Sequence, residues 1–150
     1  MRVGRACYHA LMARQNPKTD VIRKLLKDAQ TIAVVGASAK ADRPSHGVMK
    51  VLLHAGYRVF PVNPNETSVL GQKCYASLRD IPEHVDIVDV FRQPQHTPEI
   101  ADQAVAIGAK ALWLQLGVVN EDAAARAKAG GLTVIMNACI AVQHEILLGS

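Results

Sequence analysis

The chain has 150 residues, of which 49% are hydrophobic and 20% are charged, and its formal net charge is +4. This length and composition predict one soluble globular domain with a substantial core. The mild charge and the few aromatic residues (two Phe, three Tyr and one Trp) exclude a basic nucleic-acid-binding surface. No apolar run approaches the roughly 20 residues that a membrane span needs, so we expect no membrane partner.

The three cysteines, Cys7, Cys74 and Cys139, are far apart and lack CxxC spacing. An odd number of scattered cysteines argues against a disulfide framework and fits a reducing compartment, so we expect a cytoplasmic protein. The histidines lie on separate predicted elements without ligand spacing, and we assign no metal.

Residues 1–18 are basic with a short apolar patch but have no secretory h-region, and we interpret them as a variable arm before a domain at residues 19–150. Helical periodicity then begins, with Thr19 or Asp20 as the predicted cap. Five helices are predicted along the chain: Lys18–Asp28, His46–Ala55, one from a Thr97 cap to near Gly108, Glu121–Ala129 after an Asn120 cap, and the apolar segment Ile140–Leu148.

Five mostly apolar runs alternate with these helices and predict strands: Thr31–Gly36, Tyr57–Val62, Val85–Phe91, Ala111–Leu116 and Thr133–Met136. A short extended piece at 74–76 and a helical turn at 77–81 lie between the second and third strands. This alternation predicts an α/β fold, a three-layer sandwich with a five-stranded, mainly parallel sheet and helices on both faces.

The stretch Thr31–Met49 combines a buried strand, a turn of small residues and a helix start. The turn is Gly36-Ala37-Ser38, and Ser45 is the predicted N-cap of the following helix. Unpaired backbone N–H groups and the helix dipole make such a junction an anion site, so the stretch predicts a phosphate-bearing ligand over Gly36–Ser45.

Ligands of parallel sheets bind at the carboxyl ends of the strands, near the point where the strand order reverses. The predicted rim is therefore Gly36-Ala37-Ser38, Asn63-Pro64, Phe91-Arg92-Gln93-Pro94, Leu116-Gly117 and Asn137. Lys40, Arg43 and Lys73 are candidates to supply positive charge, and His46 lies in the first turn of the predicted helix.

The first turn does not match GxGxxG, because Ser38 replaces the second glycine, and the chain has no Walker A motif. An NAD site places an acidic residue after the second strand, where this chain has Asn63-Pro64. A neutral strand end tolerates a phosphorylated ribose, which leaves NADP and coenzyme A as candidate cofactors.

Three stretches, GASAKADRPSHGVMKVLLHAGYRVFPVNP, LGQKCYASLRDIPEHVDIVDVFRQP and AIGAKALWLQLGVVNEDAAARAKAGGLTVIMNACI, resemble the small stand-alone coenzyme A-binding proteins. These are similar to the N-terminal nucleotide-binding domain of the succinyl-CoA synthetase α-subunit. The resemblance covers roughly Ile32 to His144 and implies a five-stranded Rossmann-like domain that holds coenzyme A.

The resemblance places the phosphate loop on Gly36, Ala37 and Ser38, continued by Arg43, Pro44 and Ser45. It places the adenosine side on Val62, Asn63 and Pro64, and a further turn on Phe91, Arg92 and Pro94. With Lys40 and His46 added, the candidate cofactor-binding residues are Gly36, Ala37, Ser38, Lys40, Arg43, Ser45, His46, Val62, Asn63, Pro64, Phe91, Arg92 and Pro94.

The last strand departs from the family pattern, in which a Met-Asp-Arg-Cys-type motif is followed by a basic and an acidic residue. In this chain the four positions that are charged in the family pattern hold the uncharged residues Asn137, Ala138, Ala141 and Gln143. The phosphohistidine of the synthetase reaction belongs to a further domain, and no triad or carboxylate pair is visible in the sequence.

We therefore expect non-catalytic binding of coenzyme A or an acyl-CoA in a carrier or sensor role, and assign no catalytic residue. An NADP-dependent oxidoreductase domain is one alternative. A small acyl-CoA enzyme using Cys139 or His46 is another. Cys139 is otherwise interpreted as a buried, inert thiol, Trp113 as core, and Asp86 and Asp89 as strand-edge or cap partners. The segment Ile140–Leu148 packs either on its own sheet or in a homodimer.

Overall fold

A computed structural model of the chain describes residues 16–149. The predicted arm at residues 1–18 lies outside the described residues except for positions 16–18, and so does Cys7. The helices are α1 (Thr19–Asp28), α2 (Pro44–His54), α3 (Thr97–Ala106), α4 (Glu121–Ala129) and α5 (Ile140–Leu148). The strands are β1 (Thr31–Val35), β2 (Arg58–Val62), β3 (Ser68–Val69), β4 (Gln72–Lys73), β5 (Ile87–Val90), β6 (Ala111–Leu114) and β7 (Thr133–Ile135), and short 3₁₀ turns span Leu78–Asp80 and Pro94–His96.

The main sheet has five parallel strands in the order β2-β1-β5-β6-β7. The predicted α/β architecture, a Rossmann-like three-layer sandwich, is confirmed. From β1 the chain first goes to β2 on one side, and it later returns to β5 on the other side. The strand order therefore reverses between β1 and β5, which is where ligands of such sheets bind.

A small antiparallel ribbon, β3 with β4, interrupts the connection from β2 to β5. The sequence predicts only a loop there. Each strand of the ribbon has two residues, which is too short for a recognisable alternation of polar and apolar residues. The predicted extended piece at 74–76 corresponds to a single parallel bridge between Tyr75 and Val62.

Alternate residues of the central strands enter two separate cores, one on each face of the sheet. One core lies between the sheet and helices α3 and α4, and the other lies between the sheet and helices α1, α2 and α5. Trp113 is fully buried in the second core, as predicted, and its indole N–H donates to the carbonyl of Ala138 at 2.9 Å.

The predicted caps are wrong for three helices. Ser45 is the second residue of α2, because Arg43 is the N-cap and Pro44 takes the first helical position. Proline suits that position, since its fixed φ is helical and its missing N–H would have no partner there. Thr97 likewise lies inside α3, and its hydroxyl donates to the carbonyl of Pro94 at 2.7 Å.

The first helix has Lys18 as its N-cap rather than Thr19 or Asp20. The Asn120 cap of α4 is confirmed, because its Oδ1 accepts from the backbone N–H of Ala123 at 2.8 Å. Within residues 16–149, no helix combines the length and the apolar character that crossing a bilayer requires.

Candidate functional site

A cavity of about 940 Å³ opens at the carboxyl ends of the parallel strands. This volume is within the usual range for small-molecule sites. The cavity is lined by residues that follow β1, β2, β5, β6 and β7 and by the start of α2: Gly36, Ser38, Lys40, Arg43, Pro44, Ser45, Val48, Asn63, Asn65, Glu66, Phe91, Arg92, Gln93, Pro94, Gln115, Leu116, Gly117, Val118 and Cys139.

Gly36 ends β1 with a φ of +88°, a conformation that favours glycine. A Cβ at this position would stand 2.5 Å from the carbonyl oxygen of Phe91 and 3.2 Å from Cδ of Arg92. The missing side chain thus lets the end of β5 approach the loop after β1. Gly36 has a packing role whether or not a ligand is bound.

The loop between β1 and α2 is held by hydrogen bonds to the end of β2 and to the turn that follows it. The N–H of Gly36 donates to the carbonyl of Val62 at 2.9 Å, and the Asn63 side chain donates to the carbonyl of Ala37 at 2.8 Å. The N–H of Ala39 donates to the Glu66 carboxylate at 2.6 Å. These contacts fix the loop as one wall of the cavity.

The start of α2 faces the same cavity and has features that favour an anion. Arg43 makes no side-chain capping hydrogen bond, and the first turn carries no acidic residue. First-turn N–H groups lack partners within their own helix, and the helix dipole adds positive potential. The exposed side chains of Lys40, Arg43 and Arg92 add three positive charges to the lining.

The opposite wall of the cavity comes from the ends of β6 and β7. The buried Gln115 side chain accepts from the N–H of Ile140 at 3.0 Å and so holds the start of α5. The Asn137 side chain, on a residue with φ of +55°, accepts from the N–H of Gly117 at 2.8 Å. Leu116 is 71% exposed, which leaves an apolar surface here for an uncharged part of a ligand.

Nine of the thirteen candidate residues line the cavity: Gly36, Ser38, Lys40, Arg43, Ser45, Asn63, Phe91, Arg92 and Pro94. The structure does not place the other four in the lining. Ala37 and Val62 are buried in the two cores, and neither Pro64 nor His46 reaches the lining. A role for any of the thirteen in binding stays a prediction.

Sequence reasoning missed several lining residues, among them Val48, Asn65, Gln115 and Val118. Cys139 is half-buried at the cavity rather than a buried core thiol. Cys139 is a candidate reactive thiol in the sequence but is not included in the predicted rim, although its position after β7, the last strand end, indicates that place. Glu66 was noted only as an acidic residue farther along the loop, and nothing in its spacing indicates the contact with Ala39.

Asp86 and Asp89 differ in environment, although they are close in sequence. Burial favours a higher pKa for Asp86, but hydrogen bonds from the N–H groups of Gln30 and Thr31, together with the nearby Lys110 and His84 side chains, outweigh it and lower the pKa. Asp86 therefore caps the backbone N–H groups at the start of β1, which confirms its predicted role as a cap partner. For Asp89 that prediction is wrong, because it lies between Val34 and Trp113 in the sheet, fully buried, and neither carboxylate oxygen has a hydrogen-bond partner. Burial raises its pKa well above the ordinary value.

A second cavity, of about 580 Å³, lies at the opposite ends of the strands and is lined by residues that include Tyr57, Arg58, Glu83 and His144. Arg58 and Glu83 already form an ion pair there, and the rings of Tyr57 and His144 meet edge to face. This cavity has neither the strand-end position nor the helix start that favour an anionic ligand, so we place the candidate site at the first cavity. Among residues 16–149, no three His, Cys, Asp or Glu side chains are grouped so that they could hold a metal ion.

Comparison with known proteins gives a match to the family model described as CoA binding domain over residues 30–145. The chain is 42% identical over 132 residues to the uncharacterized protein YneT of Bacillus subtilis (strain 168), which covers 88% of this chain and 98% of YneT. It is 43% identical to a solved hypothetical protein from Pyrococcus horikoshii OT3, with a TM-score of 0.88 over 90% of this chain and 95% of the other.

A more distant relative is acetate–CoA ligase [ADP-forming] II of Archaeoglobus fulgidus, which is 32% identical over 83 residues. That match covers 54% of this chain but only 12% of the ligase. The resemblance found in the sequence is thus shown over most of the described residues, and this chain belongs to the CoA binding domain family.

Proposed function

We propose that the chain binds coenzyme A or an acyl-CoA in the strand-end cavity, without catalysing a reaction on it, as a carrier or sensor. The observation that carries this proposal is that the loop after β1, the start of α2 and three cationic side chains line the same cavity. Membership of the CoA binding domain family and similarity to enzymes named acetate–CoA ligases support coenzyme A as the ligand.

In this proposal the phosphates lie at residues 36–45. Lys40 and Arg43 supply positive charge from this segment, and Arg92 supplies it from the turn after β5. The turn that begins at Asn63 flanks the adenosine side. The apolar surface of Leu116 and the neighbouring turn contacts the uncharged part of the ligand. This uncharged part of the ligand then extends toward the side of the cavity that contains Cys139.

The non-catalytic part of the proposal rests on the groups at the cavity. The lining carries cationic side chains that suit an anion. It also contains the Cys139 thiol, but no histidine is among its described residues. A nucleophilic thiol needs a partner that favours the thiolate. Incubation with acetyl-CoA should therefore release no free coenzyme A and should leave Cys139 unacetylated by mass spectrometry. Release of free thiol or an acetyl group on Cys139 would make the protein an acyl-CoA enzyme instead.

A thermal-unfolding comparison with coenzyme A, acetyl-CoA, NADP and NAD tests the choice of ligand. A ligand present at about 100 times its dissociation constant stabilises the folded state by about 2.7 kcal/mol. We expect this stabilisation with coenzyme A or acetyl-CoA and none with NAD. A clear shift with NADP and none with coenzyme A would contradict the proposal and favour the oxidoreductase alternative.

We also propose a cytoplasmic location and a homodimer. Two apolar side chains on α5, Val142 and Ile146, are 52% and 67% exposed, and a second subunit would cover them. Light scattering coupled to size-exclusion chromatography tests the dimer, and Ile146→Glu should convert it to a monomer. A monomeric wild-type protein would contradict this part of the proposal without affecting the proposed ligand.

A further inference from the structure

A carboxylate of the protein itself occupies one donor of the loop proposed to hold phosphate. The backbone N–H of Ala39 donates to Oε2 of Glu66 at 2.6 Å. Ala39 lies between Gly36 and the start of α2, and Glu66 is among the residues that line the cavity. Resting on the proposed function, we propose that Glu66 is an internal competitor of the ligand, whose carboxylate must leave the Ala39 N–H before a ligand phosphate takes its place.

The turn after β2 places Glu66 in this position. The Asn63 side chain donates to the carbonyl of Ala37 at 2.8 Å, and its Oδ1 accepts from the N–H of Asn65 at 2.9 Å. The N–H of Glu66 donates to the carbonyl of Asn63 at 3.3 Å. Asn63 therefore ties the turn to the loop, and the Glu66 side chain reaches Ala39 from a fixed backbone.

Glu66 is held in a way that allows it to be exchanged. No ion pair among residues 16–149 includes Glu66, and its carboxylate accepts one hydrogen bond, from the N–H of Ala39. It is half-buried and is the only carboxylate among the described lining residues, which also include the cations Lys40, Arg43 and Arg92. A side chain fixed by one backbone donor can swing away without breaking a network.

Competition follows from the chemistry of the two anions. A carboxylate and a phosphate are both acceptors for a backbone N–H, and one N–H cannot satisfy both. If Glu66 stayed beside a bound phosphate, like charges would lie within a few ångströms of each other at the protein surface and repel. Glu66 therefore lowers the affinity for any anion on the loop and favours ligands with enough negative charge to displace it.

The test compares Glu66→Gln with Glu83→Gln as a matched control. Both variants remove one negative charge, but Glu83 pairs with Arg58 at the opposite ends of the strands. Isothermal titration at about 0.1 M salt with coenzyme A and with inorganic diphosphate measures the affinity. We expect Glu66→Gln to bind both probes on the order of three- to thirtyfold more tightly than the wild type, because its neutral amide oxygen competes less well for the N–H. Glu83→Gln should stay within about twofold of the wild type, because distant surface charges are screened.

The outcomes separate this proposal from the proposed function. Unchanged affinity in Glu66→Gln would overturn the competition, and weaker binding would show instead that Glu66 contacts the ligand. If diphosphate bound more tightly to Glu66→Gln while coenzyme A bound to no variant, the competition would stand and the proposed ligand would be wrong. If neither probe bound to any folded variant, both proposals would be wrong.

Discussion

The carbonyl oxygen of Phe91 packs so closely on Gly36 that a Cβ at Gly36 would stand 2.5 Å from it. Gly36 also has a φ of +88°, so a side chain would be strained as well as crowded. We expect Gly36→Ala to destabilise the fold by about 2–4 kcal/mol, since both costs add. Urea unfolding followed by circular dichroism measures this loss.

Gly47 offers a matched control in the same region of the chain. It lies inside α2, and a Cβ there would meet no atom within 4 Å. Gly47→Ala should stabilise the fold by about 0.5–1 kcal/mol, because alanine costs less conformational entropy in a helix. Equal effects of the two substitutions would show that the contact with Phe91 does not constrain this position.

The cations of the cavity give a prediction for ligand binding. Arg43→Ala should weaken coenzyme A binding by about 1.5–3 kcal/mol if its guanidinium pairs with a phosphate. Arg79→Ala is the control, because Arg79 is exposed on the 3₁₀ turn Leu78–Asp80 and lies outside the lining. Isothermal titration measures both variants. An Arg43→Ala affinity equal to that of the control would place Arg43 outside the site.

The buried carboxyl of Asp89 predicts how stability depends on pH. Its pKa in the folded protein is raised by burial, so above about pH 4 the unfolded chain loses this proton first. The folded state then binds more protons, and stability falls as the pH rises toward the folded pKa. The slope from this one group cannot exceed about 1.4 kcal/mol per pH unit.

Asp89→Asn removes that titration while keeping the size of the side chain. We expect the variant to gain stability relative to the wild type as the pH rises above about 4, in urea unfolding measured from about pH 4 to 8. Asp42→Asn, which changes an exposed aspartate in the loop before α2, is the control for replacing an aspartate at the surface. A constant difference between Asp89→Asn and the wild type at every pH would contradict a raised pKa at Asp89.

Asp86 gives the opposite pH dependence. Its pKa is lowered in the folded protein, so its contribution to stability is present above about pH 4 and is lost as the pH falls below that value. Asp86→Asn should cost about 1.5–3 kcal/mol near pH 7, because the N–H groups of Gln30 and Thr31 lose a charged acceptor. The cost should shrink in acid. A cost that stays the same below about pH 3 would indicate that the charge of Asp86 contributes nothing.

The fold could be predicted because its signals are local. Apolar strand runs such as Ile32–Val35 alternate with amphipathic helices, and this alternation dictates a parallel sheet. The strand ends then indicate one edge of the sheet, which is why nine of the thirteen candidate residues line a single cavity. Helix starts were less predictable, because Pro44 and the 3₁₀ turn Pro94–His96 displaced Ser45 and Thr97 from the cap positions.

The remaining parts of the site depend on contacts between distant segments. Glu66 reaches Ala39 across 27 positions of sequence, and Gln115 holds the start of α5 across 25. All four residues of β5 are buried, so an apolar residue is expected at the position that Asp89 occupies. No periodicity or motif encodes such contacts, and they become visible only when the strands are in register.

The central claim is that coenzyme A binds in the strand-end cavity, and amide chemical-shift mapping by NMR tests it most directly. Titration with coenzyme A should shift the amides of the loop after β1, the start of α2 and the turns that contain Arg92 and Gly117. Amides around the opposite cavity, such as those of Glu83 and His144, should stay unchanged. Shifts confined to the opposite cavity, or no shifts at saturating coenzyme A, would contradict the account.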